Sequence, residues 1–136
     1  MAKLFSEEWG EAFSAGWNAD KDMVRGLAAE GFCANIAYGI DGEPSPRIVI
    51  TVDNGRVVNA SPFVGQPVNW DLRASLDNWR RWMIEGFGLA NLGTAVAMKK
   101  LRFEQGDYRQ MIRNPGLAKP FLRHFEVMSR VKTDYS

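Results

Sequence analysis

The stretch Arg47-Ile48-Val49-Ile50-Thr51-Val52-Asp53-Asn54-Gly55-Arg56-Val57-Val58-Asn59-Ala60 carries the clearest local signal in the chain. Residues 47–52 are rich in β-branched side chains, which pack well on a pleated surface and favour a strand. Asp53-Asn54-Gly55 follows with the residue types that tolerate positive φ, as a tight hairpin turn requires. Residues 56–60 then return as the partner strand. This reading predicts an antiparallel β-hairpin.

Working upstream, Pro44 and Pro46 keep the preceding loop irregular, and Asp41-Gly42 marks a turn. Before it, Phe32, Ala34, Ile36 and Tyr38 alternate with Cys33, Asn35 and Ala37, the period of a strand with one apolar face. The N-terminal region reads as helical. Ser6 is a suitable N-cap ahead of Glu7 and Glu8, and Trp9, Phe13 and Trp17 recur every four residues. A kink is expected near Asn18. Asp20 restarts or continues the helix with Met23, Val24 and Leu27 inward, and Gly31 stops it.

Downstream, Pro62, Gly65 and Pro67 predict a loop, and Asn69 to Ala74 alternates as a fourth strand with Trp70, Leu72 and Ala74 on one face. Ser75 caps a helix carrying Trp79, Trp82 and Met83, which Gly86 and Gly88 end. The mostly small, apolar run Leu89 to Met98 predicts a buried helix or a short helix closing over a pocket. Leu101-Arg102-Phe103 begins a fifth strand, Gly106-Asp107 ends it, and a short helix covers Tyr108 to Arg113. Asn114-Pro115-Gly116 breaks that helix. The last helix is expected to begin near Ala118, with Pro120 tolerated in its first turn. No linker or repeat divides the chain, so one domain is expected over residues 1–136.

Composition narrows the function. The chain has 136 residues and a formal net charge of +1, with acids and bases interspersed, which argues against a nucleic-acid footprint. Arg80-Arg81 and Met98-Lys99-Lys100-Leu101-Arg102 read as solvated faces, with a transient contact to an anionic membrane surface as their other use. No run reaches the ~20 apolar residues of a membrane span, and no secretory leader is evident, so a cytoplasmic location is expected. Cys33 is the only cysteine and is expected to be a small buried hydrophobe between Phe32 and Ala34. His124 is the only histidine and is expected at the surface or half-buried. One histidine and one cysteine leave no residues for a His-rich or Cys-rich metal site. No Gly-x-Ser-x-Gly, His-Glu-x-x-His or Walker-type motif is present. The acid pairs Glu7-Glu8 and Asp20-Asp22 read as helix-start electrostatics, and Asp71 with Asp77 as a strand end beside a helix start. The expectation is a non-catalytic protein without metal or cofactor.

The order of elements and several short motifs resemble the sterol carrier protein-2 family. Gly55-Arg56-Val57 is similar to the family's Gly-Arg-Val between two strands. Leu72-Arg73-Ala74-Ser75 with Trp79 resembles its strand-to-helix junction. Residues 95–107, from Ala95 through Lys99-Lys100-Leu101-Arg102-Phe103 to Gly106-Asp107, resemble its Ala-x-x-x-Gly-Lys-Leu-Lys-Ile-x-Gly-Asp run. Two departures stand out: Lys99 occupies the glycine position, and Gln105 adds one residue, which a strand absorbs as a bulge. The likeness is loose over most of the chain and closer over about fifty residues.

The resemblance implies an α+β fold, a five-stranded mainly antiparallel sheet covered by helices on one side, with an apolar tunnel between. It implies binding, transfer or presentation of a fatty acid, acyl-CoA, sterol or other lipid. The residues suited to line such a space come from several segments. Trp79, Trp82, Met83 and Phe87 lie in or after one helix, and Leu89, Leu92, Val96 and Met98 in the next. Phe103 and Met111 follow, and Phe121, Phe125 and Met128 lie on the last helix, a candidate lid. Two other classes compete. One is a small pocket enzyme of the isomerase or dehydratase type using an Asp with Tyr38 or Tyr108, disfavoured because such folds end in long strands. The other is an accessory module presenting a hydrophobic intermediate to a partner enzyme, with Trp82 exposed or Arg80-Arg81 as the contact surface.

Overall fold

The computed structural model describes residues 1–136. The hairpin forms as its sequence requires. Strands β3 (Ile48–Asp53) and β4 (Arg56–Pro62) pair antiparallel, and Asn54 and Gly55 at the turn have φ of 49° and 88°. β2 (Ala34–Ile40) joins β3 antiparallel, and β5 (Trp70–Ala74) lies parallel to β2 on its other side. β6 (Arg102–Gln105) closes the far edge, giving a mixed sheet in the order β4-β3-β2-β5-β6. Three of its four pairings are antiparallel. The extra residue near Gly106 is absorbed by a register shift: Leu72 faces Phe103, but Asp71 faces Gln105. Two-residue strands β1 (Ala2–Lys3) and β7 (Thr133–Asp134) pair parallel and tie the two ends of the chain together, a pairing no local pattern predicts.

Six helices complete the fold: α1 (Glu7–Ala19), α2 (Lys21–Ala29), α3 (Leu76–Glu85), α4 (Leu89–Ala97), α5 (Tyr108–Arg113) and α6 (Pro115–Ser129). Ser6, Asp20, Ser75, Asp107 and Asn114 each cap the helix that follows by accepting a backbone N–H bond. The break between α1 and α2 falls at Asp20, close to the expected kink. It is fixed from outside, because Asn18 bonds both the N–H and C=O of Val57 while the Trp17 indole donates to Gly55 O at 2.9 Å. Gly55 fits only without a side chain: besides its positive φ, a Cβ there would lie 2.6 Å from Val24 O.

Five expectations need correction. α6 begins at Pro115 with Asn114 as cap, so Pro120 lies inside the helix instead of in its first turn. Its missing N–H leaves one carbonyl of the first turn without a helical donor. Cys33 is exposed at the hairpin end, where its thiol is near the Asp53 carboxylate and the Asn54 N–H. His124 and Trp82 are buried, not surface residues. α4 is not a buried helix; it inserts Leu92 and Ala95, while Leu89 at its first position and Met98 at its C-cap are exposed.

The core lies between the sheet and the helices. Ile36, Tyr38 and Ile40 of β2, Ile48, Ile50 and Val52 of β3 and Leu72 of β5 meet Trp9, Phe13 and Trp17 of α1 and the inner face of α6. Asp71 and Arg73 of β5 are also buried, as a paired carboxylate and guanidinium at 2.7 and 3.1 Å, and Arg73 donates further to Glu43 O. Asp71 is therefore committed to Arg73, whereas Asp77 pairs with exposed Arg81 in the first turn of α3.

Candidate functional site

α6 separates two spaces of different character. Under it, against the sheet, is a cavity of about 20 Å³ lined almost wholly by apolar groups, among them Trp17, Leu27, Ile36, Leu72, Met111 and Phe121, with His124 as the polar exception. Beside it, between α2 and the Gly86-Phe87-Gly88 link, runs an open groove of about 1010 Å³. Met23 and Gly26 of α2 form one wall of the groove, Trp82 and Phe87 the other, and Pro120, Leu122 and Phe125 of α6 the floor. Lys119, Arg123 and Glu126 stand at its rim. Pro120 borders both spaces.

A run of rings connects them. Trp82 and Phe87 have centroids 4.6 Å apart, Phe87 and Phe125 4.7 Å, Phe125 and Phe121 5.1 Å, and Phe121 and His124 5.0 Å. These spacings lie in the range where aromatic pairs attract beyond simple burial. The run arises from helical spacing: Phe121, His124 and Phe125 lie three and four residues apart on one face of α6.

The interior is held by tryptophans whose indole N–H groups are satisfied. Trp9 donates to Thr133 Oγ1 at 3.0 Å, Trp17 to Gly55 O, and Trp79 to Gly39 O at 3.0 Å. The wall of the groove is tied by Arg123, which donates to Asp20 at 2.6 Å across α6 and α2. Partial burial would raise the Asp20 carboxyl, but the bonds from Arg123 and from the Met23 N–H outweigh it and hold the group below its ordinary range.

The structure distributes the expected lining residues unevenly. Trp82, Phe87 and Phe125 border the groove, and Met111 and Phe121 border the cavity. Trp79, Met83, Leu92 and Met128 are buried in the core, with Phe103 and Val96 half-buried against it. Leu89 and Met98 point outward at the two ends of α4, because helix-end positions of a weakly seated helix face solvent. Pattern reading overlooked the α2 wall, Phe5 and the polar pair Tyr38–His124. Phe5 stacks on Tyr38 at 5.6 Å with φ of 62°, a backbone state for which its sequence offers no signal. The lone histidine amid aromatics was the available clue to the polar pair.

Among solved structures, several match over nearly the whole chain. A crystal structure of sterol carrier protein 2 superposes with a TM-score of 0.74 at 18% identity, covering 95% of this chain and 99% of that one. The chain has the sterol carrier protein-2 fold. A conserved hypothetical protein of Thermus thermophilus, described as a candidate sterol carrier protein, gives 0.73 at 17% identity over 100% of this chain and 94% of its own. The ubiquinone synthesis protein UbiJ-SCP2 gives 0.63 at 8% identity over 92% and 91%. No protein-family profile and no curated protein sequence matches. The sterol carrier protein-2 fold here accounts for both departures noted in the sequence. Lys99 adopts φ of 59° where the family motif has glycine, and its N–H and that of Lys100 close the end of α4 on Val96 O and Ala95 O. The added residue is the register shift in β6. Gly106, with φ of 93°, leaves no room for a Cβ, which would fall 2.3 Å from the Trp70 ring.

Proposed function

We propose that this chain binds an elongated hydrophobic molecule, of the fatty-acid, acyl-CoA, sterol or other lipid class, and transfers or presents it without transforming it. The observation that carries this reading is the continuous aromatic run from the open groove at Trp82 and Phe87 to the interior at Phe121. The groove's volume of about 1010 Å³ suits a ligand of lipid size. An apolar chain laid in the groove gains roughly 25 cal/mol for each Å² it removes from water, with half-buried Phe87 the ring of the run that offers surface, since Trp82, Phe121 and Phe125 are already buried. Lys119 at the rim is placed to meet an anionic end. The sterol carrier proteins and the ubiquinone synthesis protein that share the fold are named for hydrophobic cargo or products, which favours the same class.

Binding without catalysis is supported by where the reactive residues stand. The Cys33 thiol lies at the hairpin end, away from both spaces, and the His124 Nδ1 bonds the carbonyl of Phe121 in its own helix. Presentation to a partner protein is favoured by Ile84, Leu89 and Met98, which are 66%, 55% and 61% exposed on and beside α3 and α4. No helix is long and apolar enough to cross a membrane.

Native mass spectrometry of the purified protein should show an added lipid mass that organic extraction removes. The extracted protein should then bind a fluorescent fatty acid, and Phe87→Ala should weaken that binding several-fold. A protein that carries no lipid and takes up neither acyl nor sterol probes overturns the reading.

A further inference from the structure

The open groove beside α6 is lined by ionisable side chains of both signs, and their commitments decide what kind of head group it can take. Asp22, Glu30 and Glu126 are acidic and Lys119 and Arg123 basic, so acids outnumber bases. Arg123 is not free for a ligand. Its Nε donates to Asp20 Oδ2 at 2.6 Å and its Nη1 meets Glu126 at 3.5 Å, while Glu126 also accepts from Arg130 at 3.0 Å. Asp22 approaches only Arg25, at 3.9 Å, and both side chains stand in water. Glu30 rests on the start of α6, where it accepts from Asn114 Nδ2 at 3.4 Å. Lys119 is exposed and belongs to no ion pair. It is the one cation of the groove left for a ligand.

A fatty chain esterified to coenzyme A carries several negative charges on phosphate groups. Proteins meet such heads with bidentate arginines, with helix N-termini or with a positive local field. The groove offers none of the three. Arg123 is held by Asp20 and Glu126. At the start of α6 the Gly116 N–H donates to Asn114 Oδ1, and those of Leu117 and Ala118 donate to Asn114 O. The Glu30 carboxylate lies so close to Gly116 that a Cβ there would collide with it, so an acid already covers that helix end. The remaining acids of the lining repel further negative charge.

A single carboxylate needs only one cation. Lys119, Leu122 and Glu126 lie three and four residues apart on one face of α6. A carboxylate at Lys119 therefore puts its adjoining chain beside half-buried Leu122, whose apolar surface also lines the groove.

We infer that the groove takes a lipid whose head bears at most one negative charge, seated at Lys119, and turns away the same chain as its coenzyme A thioester. The inference rests on the lipid-binding reading and narrows it, and one experiment separates the two. Delipidated protein is titrated by calorimetry at pH 7.5 with dodecanol, dodecanoate and dodecanoyl-coenzyme A, in salt of about 0.01 M and about 0.15 M. The wild type should bind dodecanoate at least tenfold tighter than the thioester at low salt, and the gap should narrow at the higher salt as repulsion is screened. Lys119→Gln should lose several-fold in dodecanoate affinity and bind dodecanol as before. The double variant Asp22→Asn/Glu30→Gln should gain several-fold for the thioester. All three positions are exposed, so the variants keep the fold. Thioester binding as tight as that of dodecanoate, or a double variant with unchanged thioester affinity, overturns the inference alone. So does equal loss of dodecanoate and dodecanol in Lys119→Gln. Binding of none of the three probes overturns the lipid-binding reading along with it.

Discussion

The space beneath α6 and the space beside it share a helix and a residue type, yet they differ about fifty-fold in volume, about 20 against 1010 Å³. Phe121 lines the first and Phe125 the second, although the two rings are one helical turn apart and in contact. The difference lies in what opposes them. Phe121 meets α1, α2, α5 and the sheet from several directions, so side chains fill the gap. Phe125 is itself sealed, 1% exposed against Trp79 and Phe87, and the groove stays open where exposed Lys119, Arg123 and Glu126 and half-buried Leu122 and Phe87 face it. Aromatic content alone therefore does not make an open space; the gap between α2 and the Gly86-Phe87-Gly88 link does.

Substitutions that act on one space and spare the other should sharpen this contrast. Trp79→Ala removes a fully buried ring with contacts to Phe5, Trp82 and Phe125 and a bond to Gly39 O, and should cost about 3–5 kcal/mol. Urea unfolding would measure it, and a cost below ~1 kcal/mol would mean the interior is far looser than described. Acidification should act on the same side. His124 has its pKa lowered from 6.5 to about 4 in the folded state, so below pH ~6.5 the unfolded chain binds the proton more readily. Stability from this group is full above pH ~6.5 and falls progressively by about 3 kcal/mol as the pH drops to 4. His124→Phe should flatten that part of the profile of urea midpoint against pH.

The groove should respond differently. Phe87 is half-buried, so Phe87→Ala should lower stability by only about 1 kcal/mol while its effect on acyl-probe binding is several-fold. Equal losses in thermal stability and binding would erase the distinction between the two spaces. Lys99→Gly tests the C-terminal end of α4. A left-handed lysine costs roughly 1–2 kcal/mol relative to glycine, partly offset by the unfolded-state entropy of glycine, so a gain of about 0.5–1 kcal/mol is expected. Thermal unfolding should show a small rise in midpoint.

Much of the fold was legible because its signals are local. Asn54-Gly55 demands its turn, Ser75 and Asp107 cap their helices, and Trp9, Phe13 and Trp17 share one helical face. The start of α6 was misplaced because Pro120 suggested a first turn, while Asn114 and Pro115 already supplied the cap and the first helical residue. The candidate site was less legible. Met98 and Leu89 have the same apolar character as Phe125, and only the seating of α4 turns them to solvent. Gly26, Lys119 and Arg123 gave no local hint of a groove, since its walls come from segments far apart in the chain.

His124 shows where that boundary falls. Its sequence neighbours, Arg123 and Phe125, are compatible with either an exposed or a buried side chain, and its place between them led to the expectation of a surface or half-buried residue. By itself the sequence determined the five strands of the main sheet, the helices apart from the start of α6, the hairpin turn and the scarcity of catalytic groups, because each depends on residues within a few positions. Only the tertiary structure decided which aromatic faces are sealed, which lie open, and that one histidine and one tyrosine meet without partners. Burial and hydrogen-bond satisfaction depend on what packs from elsewhere in the chain, and no local pattern encodes it.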